Sequence, residues 1–78
     1  MKLPRDVSGG NLAKCLCKDW EYRFVYQKGS QLVLKTDAGH RLSIPEHDSL
    51  KVGTLHNILL AVANHKAVAI ADILDTLR

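Results

Sequence analysis

The sequence predicts one α+β domain over 1–78, in the order α-β-β-β-α with a further C-terminal helix. Two observations carry that expectation. Apolar residues recur at helical spacing near the start, alternate strictly in the middle, and return to helical spacing in the last third. The composition, 46% hydrophobic and 24% charged, is that of a folded soluble chain rather than a disordered one.

Ser8 opens the first helix, expected over 8–19, because its hydroxyl can accept a free backbone N–H. Val7 and Leu12 occupy the two positions of a hydrophobic staple, and Leu12, Cys15 and Leu16 share one face. The period then changes. Trp20, Tyr22, Phe24 and Tyr26 alternate, which predicts a strand with these aromatics on one face and Glu21, Arg23, Val25 and Gln27 on the other; if the aromatic row points inward, Arg23, Val25 and Gln27 face outward. Lys28-Gly29-Ser30 signals a turn, Gln31 to Thr36 a second strand, Asp37-Ala38-Gly39 another turn, and His40 to Ile44 a third strand ended by Pro45. Together they predict a three-stranded antiparallel meander with the helices on one face. Thr54 is the expected cap of the next helix, whose stripe is Leu55, Ile58, Leu59 and Val62. Ile70, Ile73, Leu74 and Leu77 repeat the pattern in a last helix that has no good cap before it.

Composition also excludes. Cys15 and Cys17 are too close to close a useful disulfide loop, and on a helix they face apart. The longest apolar run, Ile58 to Ala63, is far too short to span a bilayer, and Met1 to Asp6 lacks the apolar stretch of a signal peptide. A reduced, cytoplasmic protein with no membrane partner is the expectation. No pair among His40, His47, His56 and His65 has metal-ligand spacing, so neither a metal nor another cofactor is expected.

Parity makes a statement about function. If Leu32, Leu34, Leu42 and Ile44 face the helices, the opposite face carries Arg23, Lys35 and Arg41, with Lys28 at the turn and Lys51 in a nearby loop. Such a row can hold phosphates or can be an ordinary solvated face; the net charge of +3 permits the first without requiring it.

Three segments carry a resemblance: Leu3-Pro4-Arg5-Asp6-Val7-Ser8-Gly9, the turn Gln27-Lys28-Gly29-Ser30, and Ile44-Pro45-Glu46-His47-Asp48-Ser49-Leu50-Lys51-Val52-Gly53-Thr54-Leu55. They resemble the HicA-type toxins, the small mRNA interferases of HicA–HicB toxin–antitoxin pairs, from the first residues to about Asn64. The resemblance implies a fold like the double-stranded-RNA-binding domain, a metal-independent endoribonuclease acting on messenger RNA, and a HicB-like antitoxin as partner. It also marks Gly29 and Ser30 as site residues beside the cations.

In the family the turn reads Gly-Ser-His and the histidine is catalytic; here Gln31 stands in its place, and Tyr26 stands where an arginine is usual. A glutamine amide can hydrogen-bond to a phosphate or 2′-hydroxyl but cannot take and release a proton near neutrality. Gln31 therefore impairs the site or leaves proton transfer to another group. His47, which matches the family pattern in its own right, is the candidate substitute; its other role would be to order its loop. The readings in competition are an impaired ribonuclease, a non-catalytic RNA binder, and an antitoxin-binding module.

Overall fold

The computed structural model describes residues 6–77. Leu3, Pro4 and Arg5 of the resembling opening lie outside the described residues. Along the chain come α1 (Gly9–Asp19), β1 (Arg23–Lys28), β2 (Gln31–Lys35), β3 (Arg41–Pro45), α2 (Val52–Lys66) and α3 (Ile70–Thr76).

Ser8 starts α1 as its residue type requires: it is extended at φ −82° and ψ 153°, and its Oγ accepts the Asn11 N–H at 3.1 Å. Both staple residues pack on the core. The helix ends at Trp20, and Glu21 takes a left-handed φ of 61°. The N–H groups of Trp20 and Tyr22 both donate to the Leu16 carbonyl, at 3.0 and 3.1 Å. Trp20 thus belongs to the helix end, not to the first strand as the alternation suggested.

The sheet is an antiparallel meander in the order β1-β2-β3. Gly29, at φ 59°, takes the first place of the two-residue turn between β1 and β2, where a positive φ suits glycine. Across β2 and β3, Leu32 pairs with Ile44 and Leu34 with Leu42. These four lie in one core cluster with Leu12 and Leu16 of α1, Leu55, Ile58, Leu59 and Val62 of α2, and Ile73 of α3. The helices therefore cover the face that parity assigned to them.

The first strand departs from the expected parity. A bulge lies between Phe24 and Tyr26: Phe24 pairs with Leu34, and Tyr26 pairs with Val33, the very next residue of β2. One extra residue on β1, Val25, flips the side-chain alternation after it. Tyr26 moves to the open face and Gln27 to the side of Leu32 and Ile44, the reverse of the expectation for both. An uninterrupted aromatic alternation cannot reveal a bulge, because nothing in residue type marks the inserted position.

The helix expected to be capped by Thr54 begins at Val52, with Lys51 at the N-cap and no side-chain cap. Burial decides this start. Leu50 is in the core, and the Leu55 N–H donates to the Lys51 carbonyl at 2.9 Å, so the first turn closes before Thr54 can cap it. Ala67, left-handed at φ 56°, ends α2, and the Asp72 carboxylate caps α3 by accepting the Ala69 N–H at 3.2 Å. No single helix among the described residues is long and apolar enough to cross a membrane.

Candidate nucleic-acid interface

The pairing register builds the open face in three rows. At one end Arg23, Lys35 and Arg41 stand directly opposite one another across all three strands. The middle row is Tyr26, Val33 and Ser43, and the far row is Lys28, Gln31 and Pro45. Successive rows lie about 6.7 Å apart, so Gln31 is roughly 13 Å from the cations with Tyr26 between them. Arg23, Arg41, Ser43, Gln31 and Lys28 are exposed, and Lys35 is half-buried.

The cation row follows from sequence parity, and the register sets its alignment. Like charges directly opposite on neighbouring strands destabilise a sheet, so the row is an unfavourable arrangement unless an anion meets it. Among the described residues Arg23 has a partial answer: its Nη2 lies 2.9 Å from Asp37 Oδ1, both side chains being largely exposed. An exposed pair of that kind contributes little.

The other expected site residues fall at the far end. Gly29 and Ser30 form the turn beside Gln31, and Lys28 is directly opposite Gln31. His47 lies in the loop after β3. The Glu46 N–H donates to the Ser30 carbonyl at 2.6 Å, which leaves His47 and Gln31 each one residue from a shared hydrogen bond. The His47 N–H donates to Pro45 and its carbonyl accepts the Gly9 N–H, both at 2.9 Å. Loop ordering is thus done by the His47 backbone, and its imidazole is exposed. Lys51 caps a helix that packs on the other face, and the register does not join it to the cation row.

A second cluster of titratable groups was not legible in the sequence. The rings of His40 and His65 stack at 4.4 Å between centroids and 13° between planes, with the Tyr22 ring edge-on to both. The Thr36 hydroxyl lies 3.2 Å from His65 Nε2, and Lys66 Nζ sits 5.8 Å from the Tyr22 ring centre. Tyr22 Oη and His40 Nε2 are buried without a hydrogen-bond partner among the described residues. Burial, then the neighbouring His65 and Lys66, hold the His40 imidazole below its ordinary pKa; burial raises the Tyr22 phenol to about 12. His40 and His65 are 25 residues apart, from β2–β3 turn and helix end, and only the docking of α2 on the sheet brings them together. No group of three or more His, Cys, Asp or Glu among the described residues could hold a metal ion.

No family model, curated protein or solved structure matches this chain.

Proposed function

We propose that this chain is a HicA-like toxin module that binds messenger RNA on the open face of its sheet, with a ribonuclease site impaired at Gln31. The observation that carries the reading is the opposed row of Arg23, Lys35 and Arg41, a self-repelling arrangement that a phosphate backbone would relieve. In this reading Lys28, Gly29 and Ser30 hold the backbone near Gln31, and Lys51, at the start of α2, has no part in the face. A fold like the double-stranded-RNA-binding domain, a cytoplasmic site of action and a HicB-like antitoxin partner belong to the same proposal.

The chemistry rests on Gln31 and His47. Metal-free cleavage of RNA needs a group to take the 2′-hydroxyl proton, and loss of such a base lowers the rate by about two to four orders of magnitude. Gln31 can orient a hydroxyl or phosphate but not accept its proton. The shared Glu46–Ser30 hydrogen bond favours His47 as the group that supplies what activity remains.

A second reading, an antitoxin-binding module without RNA chemistry, is favoured by one feature. Phe24 and Val25 on the edge strand β1 are 55% and 48% exposed, an apolar patch suited to a protein partner. The two are separated by assaying RNA binding against salt, and RNA cleavage in chelator by the chain and its Gln31→His variant. Salt-sensitive binding, with cleavage gained by the histidine variant, is the expected result. Absence of RNA binding at low salt would leave the protein-binding reading in its place.

A further inference from the structure

The β1 bulge places an aromatic ring where the alternation of the sequence would not have it. Tyr26 stands in the middle row of the open face, on the edge strand β1, 43% exposed and directly opposite Val33, with the cation row on one side and Lys28 and Gln31 on the other. Ring contacts among the described residues involve Tyr22, His40 and His65, so no aromatic side chain stacks on the Tyr26 ring, and the side turned away from its cross-strand partner Val33 is the one a base could meet. Its neighbours fix what it can meet. A phosphate backbone held by Arg23, Lys35 and Arg41 would bring the adjoining base about one row along the sheet, onto Tyr26.

We propose that Tyr26 is a base-stacking residue, and that the open face therefore takes single-stranded RNA, with one unstacked base laid on the Tyr26 ring beside the cation row. The inference rests on the RNA-binding reading above and adds to it the strandedness of the ligand and the residue that sets it. A duplex keeps its bases stacked on one another and offers the sheet only phosphates and groove edges, so it gains nothing from an aromatic platform. A single strand offers free π faces, and stacking tolerates any base.

The test measures binding of one short RNA, single-stranded and annealed to its complement, with a polyglutamate chain as the polyanion control. The proteins are the full chain, Tyr26→Ala, Tyr26→Phe, Tyr26→Leu and Lys35→Gln, each checked for an unchanged circular dichroism spectrum. Tyr26→Leu keeps the apolar bulk against Val33 and removes the π face. The expected result is single-strand affinity about 5- to 100-fold weaker in the Ala and Leu variants and within about twofold in the Phe variant. Duplex affinity and the salt slope should be unchanged by all three.

Equal single-strand affinity in the Leu variant and the full chain would overturn the stacking role. If Lys35→Gln still weakened binding in that case, RNA recognition by the cations would stand without it. Equal losses on single strand and duplex would also overturn it, by making Tyr26 a general support of the face. Polyglutamate binding with the same Tyr26 dependence would assign the face to an acidic protein. Failure of the full chain to bind either RNA would remove the RNA-binding reading and this inference together.

Discussion

Lys35→Gln separates an anion-binding row from an ordinary charged surface, because the two make opposite demands on stability. Lys35 lies directly between Arg23 and Arg41 on its neighbouring strands. Unit charges about 5 Å apart repel by about 0.8 kcal/mol in water, and physiological salt reduces this to about 0.4 kcal/mol. Two such pairs, one of them eased by Asp37 beside Arg23, give a relief of about 0.4–0.8 kcal/mol when the lysine charge is removed. Glutamine keeps much of the lysine stem, so the packing of this half-buried side chain is largely retained. In a domain of this size the gain raises Tm by roughly 2–6 °C, and the increase should fade at high salt. RNA binding should move the other way, with the slope of log affinity against log salt reduced by about 0.7–0.9 for one lost phosphate contact. Thermal melts and salt-dependent RNA titrations on the same preparations read both. A lower Tm with an unchanged binding slope would refute the reasoning and make Lys35 a structural residue of the sheet.

Three other predictions concern the scaffold that holds this face. A Cβ on Gly9 would overlap the Pro45 carbonyl oxygen, whereas one on Gly10 would meet nothing within 4 Å. Gly9→Ala should therefore destabilise by about 1–3 kcal/mol and Gly10→Ala stabilise by about 0.5–1 kcal/mol, read as opposite shifts in urea midpoint. Thr76 donates its hydroxyl proton to the Ile73 carbonyl at 2.7 Å and accepts from Trp20 Nε1 at 2.9 Å, which makes the Cys15 thiol, 3.0 Å away, a second donor. Thr76→Val leaves both donors without this acceptor and should cost about 1–2 kcal/mol, with a change in tryptophan fluorescence; an unaltered urea midpoint would exclude the latch. The third concerns pH. His40 is held below its ordinary pKa, so the unfolded chain binds the more protons: stability is full above about pH 6.5 and falls as pH drops below it. The stack faces His65, Lys66 with its partner Glu21, Tyr22 and Thr36, and of these His65 and Lys66 oppose protonation of His40. His40→Phe, which also removes the unpaired Nε2, should flatten the loss of urea midpoint between pH 7 and pH 5; an equally steep fall would place the titrating group elsewhere.

Much of the fold was legible because residue type and spacing are local information. The Ser8 cap, the Leu12–Leu16 face, the Gly29 turn and the pairing face of Leu32, Leu34, Leu42 and Ile44 all follow from the periods of helix and strand. The same parity placed Arg23, Lys35 and Arg41 on one surface. Errors arose where a single residue changed the phase. Val25 enters the ladder as an extra residue and carries Tyr26 across the sheet, while Leu50 is drawn into the core and starts α2 ahead of Thr54.

By itself the sequence determined an α+β chain, a set of cations that parity puts on one surface, and a glutamine, Gln31, at the opening of the second strand. Those are properties of residue identity and short-range period. Only the tertiary structure decided that the three cations face one another in register, that Tyr26 lies on their face in the next row along, and that His40 stacks on His65. Each of these depends on which residues of distant segments become neighbours, and that is settled by strand register and helix docking across the whole core.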